Sequence, residues 1–298
     1  MDIIKFQNFS KTRLKKAVLH QLNMAIKSNA ITGLVGPNGA GKTTLMKAVC
    51  GYIKGSSGNV KVFGENPFNS LMVSANTIFI DDQLSLPSGL NLESILDEAA
   101  NFYINWDAEL AKELLEYFDL DPYQFHCKLS KGARSTFNII LAISARCPLT
   151  IMDEPTIGMD ASVRKDFYRL VLKDFLIFPR TILISGHYME EMEDILEDVI
   201  LLDKGQRILH LPIEELRQYA IAMQGKRTSV RQWVGEREVI YHQERGAESE
   251  YVLVKNDFSD QELEQAYSSV ISTTLVTASE LCLHLMRVNK GGIQYVIQ

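Results

Sequence analysis

The residues best suited to chemistry lie close together in the first sixth of the chain. They form the segment Gly36, Pro37, Asn38, Gly39, Ala40, Gly41, Lys42, Thr43 and Thr44. This segment fits the pattern G-x-x-x-x-G-K-[ST], in which glycines let the backbone curl so that successive N–H groups point at one anion. Lys42 has the reach to contact the outer phosphates of a nucleotide, and the Thr43 hydroxyl suits Mg²⁺. The pattern therefore predicts a loop that binds nucleotide phosphates.

The flanking sequence supplies the elements that such a loop needs. The apolar run Ile31–Val35 precedes the loop and predicts a buried strand, whereas residues 45–50 predict a helix. A helix that begins near Gly41 directs the positive end of its dipole at the bound anion. Strand, loop and helix thus occur in the order that phosphate binding requires.

Five further motifs follow this loop along the chain. Asp81-Asp82-Gln83 follows a predicted strand, Leu129-Ser130-Lys131-Gly132 opens a predicted helix, and the strand 149–152 runs into Asp153 and Glu154. Gly158-Met159-Asp160 and Ser185-Gly186-His187 come next. In this order, and with the phosphate loop, the motifs resemble the nucleotide-binding subunit of an ATP-binding cassette (ABC) transporter. The resemblance covers roughly residues 1–218.

The resemblance implies a set of catalytic residues. Glu154 is expected to polarise the attacking water, His187 to contact the γ-phosphate, and Gln83 to contact magnesium and water. The register of the last position is open, because Asp81 or Asp82 fits it as well. The residues expected to hold Mg²⁺ are Thr43, Gln83 and Asp153. The implied cofactors are ATP and Mg²⁺.

Other residues of this chain are expected to contact the nucleotide that is bound to a second subunit. Ser130 and Gly132 resemble the family signature, which binds the γ-phosphate of ATP held by the partner, and Asp160 resembles the loop that crosses the subunit boundary. Ser130 and Asp160 are also suited to capping the helices that follow them. An aromatic residue commonly stacks on adenine in this family, but Arg13 occupies that place here, and its planar guanidinium is also able to stack.

The predicted fold class is α/β. It comprises a P-loop NTPase core with a mostly parallel sheet, an antiparallel β subdomain and a helical subdomain over about 84–148. We expect the ATPase domain to span 1–218, and 219–298 to form a small α+β accessory domain. Within the latter, a helix is expected to start at 259–262 and to include Leu263 and Tyr267, and another is expected to end before Gly291.

Composition limits the possible settings. Of 298 residues, 46% are hydrophobic and 23% are charged, and the net charge of −6 argues against a general nucleic-acid binder. The four cysteines are widely spaced and form no C-x-x-C pair, which suits a reducing compartment. No apolar run reaches the length of a membrane span, so we expect no direct membrane insertion. The expected location is cytoplasmic, at the inner face of the membrane through a permease.

The resemblance implies an ATPase subunit that powers transport through head-to-tail dimer closure. Its expected partners are a second nucleotide-binding subunit, with a homodimer favoured, and a separately encoded transmembrane permease. The chain resembles the subtype that serves multidrug, peptide-antibiotic or cell-envelope exporters. The alternative is an ABC ATPase that acts on nucleic acid or the ribosome, although the interval between Lys42 and Ser130 holds no extended heptads.

Overall fold

A computed structural model describes residues 1–187, 189–246, 248–259, 261–262 and 271–288, with side chains to residue 286. The strands are β1 Asp2–Arg13, β2 Lys16–Lys27, β3 Ile31–Val35, β4 Ser57–Val62, β5 Thr77–Ile80, β6 Leu149–Met152, β7 Thr181–Gly186, β8 Asp198–Asp203, β9 Gln206–Pro212, β10 Ala220–Lys226, β11 Val239–Arg245, β12 Ser249–Lys255 and β13 Ser272–Leu275. The helices are α1 Lys42–Val49, α2 Leu71–Ala75, α3 Leu92–Phe102, α4 Ala108–Tyr117, α5 Lys131–Ser144, α6 Ala161–Ile177, α7 Met189–Met192, α8 Ile213–Arg217, α9 Arg227–Val234 and α10 Ala278–Val288.

A six-stranded sheet positions the phosphate loop. Its order is β5-β6-β7-β3-β8-β9, and β3 pairs in parallel with both β7 and β8. Strands β3 and β6 are buried along their whole length, which explains why their sequences contain no charged residue and are mostly apolar. Because parallel strands end at the same edge, the loops after β3, β5, β6 and β7 meet there.

The antiparallel sheet β2-β1-β4 packs over this core. Phe6 and Phe9 of β1 are buried and make an edge-to-face ring contact at 5.4 Å. They join the hydrophobic cluster that contains Leu45 and Met46 of α1. The antiparallel sheet thus supports one side of the helix that follows the phosphate loop.

Helices α3, α4 and α5 form the predicted helical region. Asn91 and Asp107 cap α3 and α4, since each side chain accepts a hydrogen bond from a backbone N–H in the first turn. Helix α5 is more deeply buried, and every residue from Ser135 to Ser144 is buried. The structure confirms the α/β fold class.

The chain divides into two compact units, 1–210 and 211–298. In the second unit, an antiparallel sheet has the order β11-β12-β10-β13, and α9 packs on β10 and β12. Helix α8 belongs to this unit and packs on α10, whereas the sequence placed the boundary after residue 218. The helix expected from 259–262 through Leu263 and Tyr267, and the helix end before Gly291, lie largely outside the described residues.

Candidate functional site

The loop before α1 has the geometry of an anion cradle. Gly41 stands at the N-cap of α1 with φ +106°, a conformation that a side chain strongly disfavours. Gly36 lies so close to the carbonyl of Leu202 that a Cβ atom there would come within 2.2 Å of its oxygen. Lys42 is 4% exposed, and its ammonium donates to the Gly36 carbonyl at 2.7 Å. The loop therefore folds back around its own lysine.

Glu154 brings three of the predicted residues together. Its carboxylate lies 3.2 Å from the Lys42 ammonium and 3.7 Å from the Nδ1 atom of His187. The Glu154 backbone has φ +48°, an unusual value for a residue other than glycine, found here directly after a buried strand. The ends of β6 and β7 and the start of α1 thus place a carboxylate, an ammonium group and an imidazole at one edge of the sheet.

Ser185 organises the adjacent carboxylate. Its hydroxyl donates to Asp153 Oδ1 at 2.5 Å and accepts a hydrogen bond of 2.9 Å from the Glu154 backbone N–H. Burial raises the pKa of Asp153, although hydrogen bonds from Ser185 and Thr43 act in the opposite direction. Sequence reasoning assigned no role to Ser185. The available signal was a hydroxyl residue at the end of a buried strand, two positions before the histidine.

A cavity of about 370 Å³ lies in front of these groups. The residues that line it are Val18, Asn38, Gly39, Gly41, Lys42, Thr43, Thr44, Asp82, Asp153, Glu154 and Ile157. Asp82 lines this cavity, whereas Gln83 is exposed and is absent from the lining. Asp81 points away to form an ion pair of 3.3 Å with Lys47. Of the three open registers, the structure thus brings Asp82 to the cavity.

The structure does not bring Arg13 to this cavity. Arg13 is exposed at the end of β1 and pairs with Lys16 across the hairpin. The residue of β2 that lines the cavity is Val18. Leu14 and Lys15 form the intervening turn, and both have a positive φ.

The Leu129–Gly132 segment opens α5 as expected. The Ser130 hydroxyl accepts a hydrogen bond from the Ala133 N–H at 3.2 Å and caps the helix. Gly132 packs against the Gly158 carbonyl, where a Cβ atom would approach to 2.6 Å. Ser130 and Gly132 do not line the cavity around Lys42 within this chain.

Asp160 occupies the N-cap position of α6, but its side chain makes no capping hydrogen bond. It is exposed and does not line the cavity around Lys42. Asp160 is therefore the N-cap residue of α6, as expected, but its carboxylate does not cap the helix. This leaves the Asp160 carboxylate available for contacts outside the chain.

Comparison with known proteins identifies related sequences and folds. A family model described as "ABC transporter" matches residues 19–157. The ABC transporter ATP-binding protein YdbJ of Bacillus subtilis is 32% identical over 68% of this chain and 67% of its own length. The bacitracin transport ATP-binding protein BcrA of Bacillus licheniformis is 30% identical over 72% of each.

Solved structures share the fold. An ATP-binding subunit of an ABC transporter superposes with a TM-score of 0.65 and 24% identity, over 72% of this chain and 92% of its own. A dimeric ATP-binding cassette in a post-hydrolysis state, bound to ADP and phosphate, gives a TM-score of 0.62 at 19% identity, over 70% and 98%. Each similarity leaves more than a quarter of this chain uncovered.

Proposed function

The chain belongs to the ABC transporter family of ATP-binding proteins, and we propose that it works as one half of a head-to-tail homodimer. It is an ATP-binding and hydrolysing subunit of an ATP-driven transport system. The observation that supports ATP hydrolysis by this chain is the cluster of Lys42, Asp153 and Glu154 around one cavity, with Ser185 behind it.

In the proposed mechanism, the backbone N–H groups of the loop and the N-terminus of α1 bind the nucleotide phosphates. Lys42 neutralises charge on the outer phosphates, and Glu154 orients the attacking water and accepts its proton. His187, beside Glu154, donates to the γ-phosphate. Ser185 holds the backbone of Glu154 and thereby fixes the direction of its carboxylate.

We propose that Mg²⁺ is held by Asp153 and Thr43. The donor set fits this ion, because Mg²⁺ prefers one or two carboxylates and a hydroxyl, completed by water and substrate phosphates. The raised pKa of the buried Asp153 also fits a site that gains from a nearby cation. When bound, the ion neutralises charge that develops on the phosphates. For the further contact to magnesium from the loop after β5, Asp82 is better supported than Gln83, since Asp82 lines the cavity.

The dimer proposal follows from where the remaining anion-binding groups lie. Ser130 and Gly132 are on the surface away from the cavity around Lys42, as expected for groups that contact ATP in a second copy. The exposed Asp160 is suited to cross the same boundary. ATP bound between the loop of one copy and the signature of the other then holds the dimer closed, and hydrolysis releases it.

We propose that the dimer is peripheral at the inner face of the cell membrane and drives a separately encoded permease. No helix within the described ranges is long and apolar enough to cross a membrane. The similarity to a bacitracin transport protein supports cargo of the antibiotic or cell-envelope type. This chain supplies the energy, and the permease selects the cargo.

The test compares the wild-type protein with Glu154→Gln in the presence of Mg-ATP. We expect phosphate release to fall by about 10²–10⁴-fold, because the proton acceptor is lost while the hydrogen-bonding shape is kept. Size-exclusion chromatography should show the variant as an ATP-dependent dimer. A variant that stays monomeric and retains turnover would overturn the role of Glu154. It would also overturn the composite site, in which ATP contacts the loop of one copy and the signature of the other. Lys165→Gln, at an exposed position of α6, serves as the control and should leave phosphate release unchanged.

A further inference from the structure

Asn138 is a buried polar residue in the middle of α5, and the site described above does not use it. It is 4% exposed and stands between the fully apolar neighbours Phe137 and Ile139. An amide in such surroundings destabilises the fold unless its donors and acceptors are bonded. Its hydrogen bonds therefore offset the cost of placing an amide in this core.

Those bonds connect α5 to two other segments. Asn138 Oδ1 lies 2.9 Å from His126 Nε2, so the imidazole donates and the amide oxygen accepts. The Asn138 amide nitrogen donates a long bond of 3.5 Å to the Asp81 carbonyl. His126 is itself 5% exposed and begins a 3-10 turn that ends just before Leu129.

Further contacts lead from Asp81 to the helix that follows the phosphate loop. The Asp81 carboxylate pairs with Lys47 at 3.3 Å, and Lys47 lies in the last turn of α1. Four segments are thus connected in sequence: the helix of the phosphate loop, the loop after β5, helix α5, and the turn that precedes the signature. Ser135 adds a parallel link, because its hydroxyl donates to the Ile157 carbonyl at 2.9 Å.

We propose that Asn138, together with His126, is a positioning residue that fixes the Leu129–Gly132 segment relative to the loop after β5. This inference rests on the proposed dimer. In that dimer, the loop at Asp81 and Asp82 responds to the nucleotide of its own subunit, whereas Ser130 contacts the nucleotide of the partner. The His126–Asn138–Asp81 link therefore couples the two composite sites and sets how readily ATP closes the dimer.

The first experiment uses the Glu154→Gln background, in which ATP accumulates the closed dimer. Asn138→Ala removes both bonds, whereas Asn138→Asp keeps an acceptor for His126 and loses the donor to Asp81. We expect both changes to raise the ATP concentration for half-maximal dimerisation about 10-fold. Binding of a fluorescent ATP analogue to dilute monomer should change less than about twofold, because no phosphate contact is removed.

The matched control is Ser144→Ala in the same helix. The Ser144 hydroxyl is buried and has no hydrogen-bond partner among the described residues, so its loss should leave dimerisation unchanged. At the other end of the link, His126→Leu should reproduce the defect. His126→Gln should restore near-normal dimerisation, since its amide is able to donate to Asn138. An equal shift in Ser144→Ala and Asn138→Ala would overturn the proposal, as would no shift in either Asn138 variant.

Hydrogen exchange in dilute monomer separates this inference from the dimer proposal. ATP should increase protection of backbone amides at 129–132 in the wild type, and Asn138→Ala should abolish that increase. Failure of Glu154→Gln to dimerise would contradict the proposed function, while the exchange measurement would still decide whether the link exists. An ATP-dependent increase that persists in Asn138→Ala would overturn the positioning role.

Discussion

Two clusters of charged residues in the first unit differ in how well their charges balance. In the structural cluster, defined as Asp107, Arg146, Asp174 and Arg180, two acids meet two arginines. Arg146 contacts Asp107 at 2.7 Å and Asp174 at 3.1 Å, and Arg180 contacts Asp174 at 2.6 Å. Each charge therefore has an oppositely charged neighbour within the protein.

The site cluster, defined as Lys42, Asp82, Asp153 and Glu154, contains three carboxylates and a single lysine. Burial raises the pKa of Asp153, which indicates a carboxylate that is poorly compensated. Burial also lowers the pKa of Arg180, but Asp174 acts against that shift. We infer that the balanced cluster stabilises the fold, whereas the excess of carboxylates in the site cluster suits it to binding a cation.

The largest effect is expected from breaking the balanced cluster. Asp174→Ala leaves Arg180, which is 2% exposed, without its closest acid, so the free energy of unfolding should fall by about 3–5 kcal/mol. Urea denaturation measures the loss, and phosphate release per folded molecule should stay close to wild type. Arg169→Ala, on an exposed part of α6, is the control and should change stability by less than about 0.5 kcal/mol. A similarly small loss for Asp174→Ala would refute the structural assignment.

A smaller effect is expected from Ser185→Ala in the site cluster. The change removes the hydrogen bond to Asp153 and leaves the Glu154 N–H without its acceptor, which should cost about 1–3 kcal/mol. Turnover should fall about 10-fold, because the Glu154 carboxylate loses its fixed direction. Ser185→Thr keeps the hydroxyl and should retain most of the activity. Equal activity of Ser185→Ala and wild type would show that this bond does not position the site.

The smallest effect is expected from Asp153→Asn, which should raise the free energy of unfolding where the two previous changes lower it. Asp153→Asn removes a poorly compensated buried charge, so we expect the free energy of unfolding at pH 7 to rise by about 0.5–2 kcal/mol while hydrolysis is lost. The wild-type carboxyl has a raised pKa in the folded state. Its protonation therefore stabilises the fold at low pH, and that stabilisation is lost as the pH rises through the folded value.

It follows that the advantage of Asp153→Asn should shrink as the pH falls and vanish below the ordinary pKa of an aspartate. Urea denaturation at several pH values, without nucleotide or magnesium, tests this. Asp174→Ala provides the contrast, because it should remain destabilising at pH 7. A loss of stability in Asp153→Asn at pH 7 would remove the proposed difference between the clusters.

Local sequence patterns were sufficient for much of the fold and the site. Mostly apolar runs predicted β3 and β6, since strands covered on both faces have no side exposed to water. The glycine pattern predicted the phosphate loop, because only that backbone brings several N–H groups to one anion. Ser130 was predicted to cap α5, and the structure confirms the cap. These features depend on residues adjacent in the chain.

The tertiary structure decided everything that depends on distant segments meeting. Which of Asp81, Asp82 and Gln83 lines the cavity was decided by tertiary packing, which pairs Asp81 with Lys47 and brings Asp82 to the cavity. The part that Ser185 plays requires β6 and β7 to be neighbours, and the Asn138 link requires α5 to pack under the loop after β5. The sequence by itself determined the chemistry available, because motif residues carry it locally. Packing alone decided which of those groups touch, because side-chain contacts arise between residues far apart in the chain.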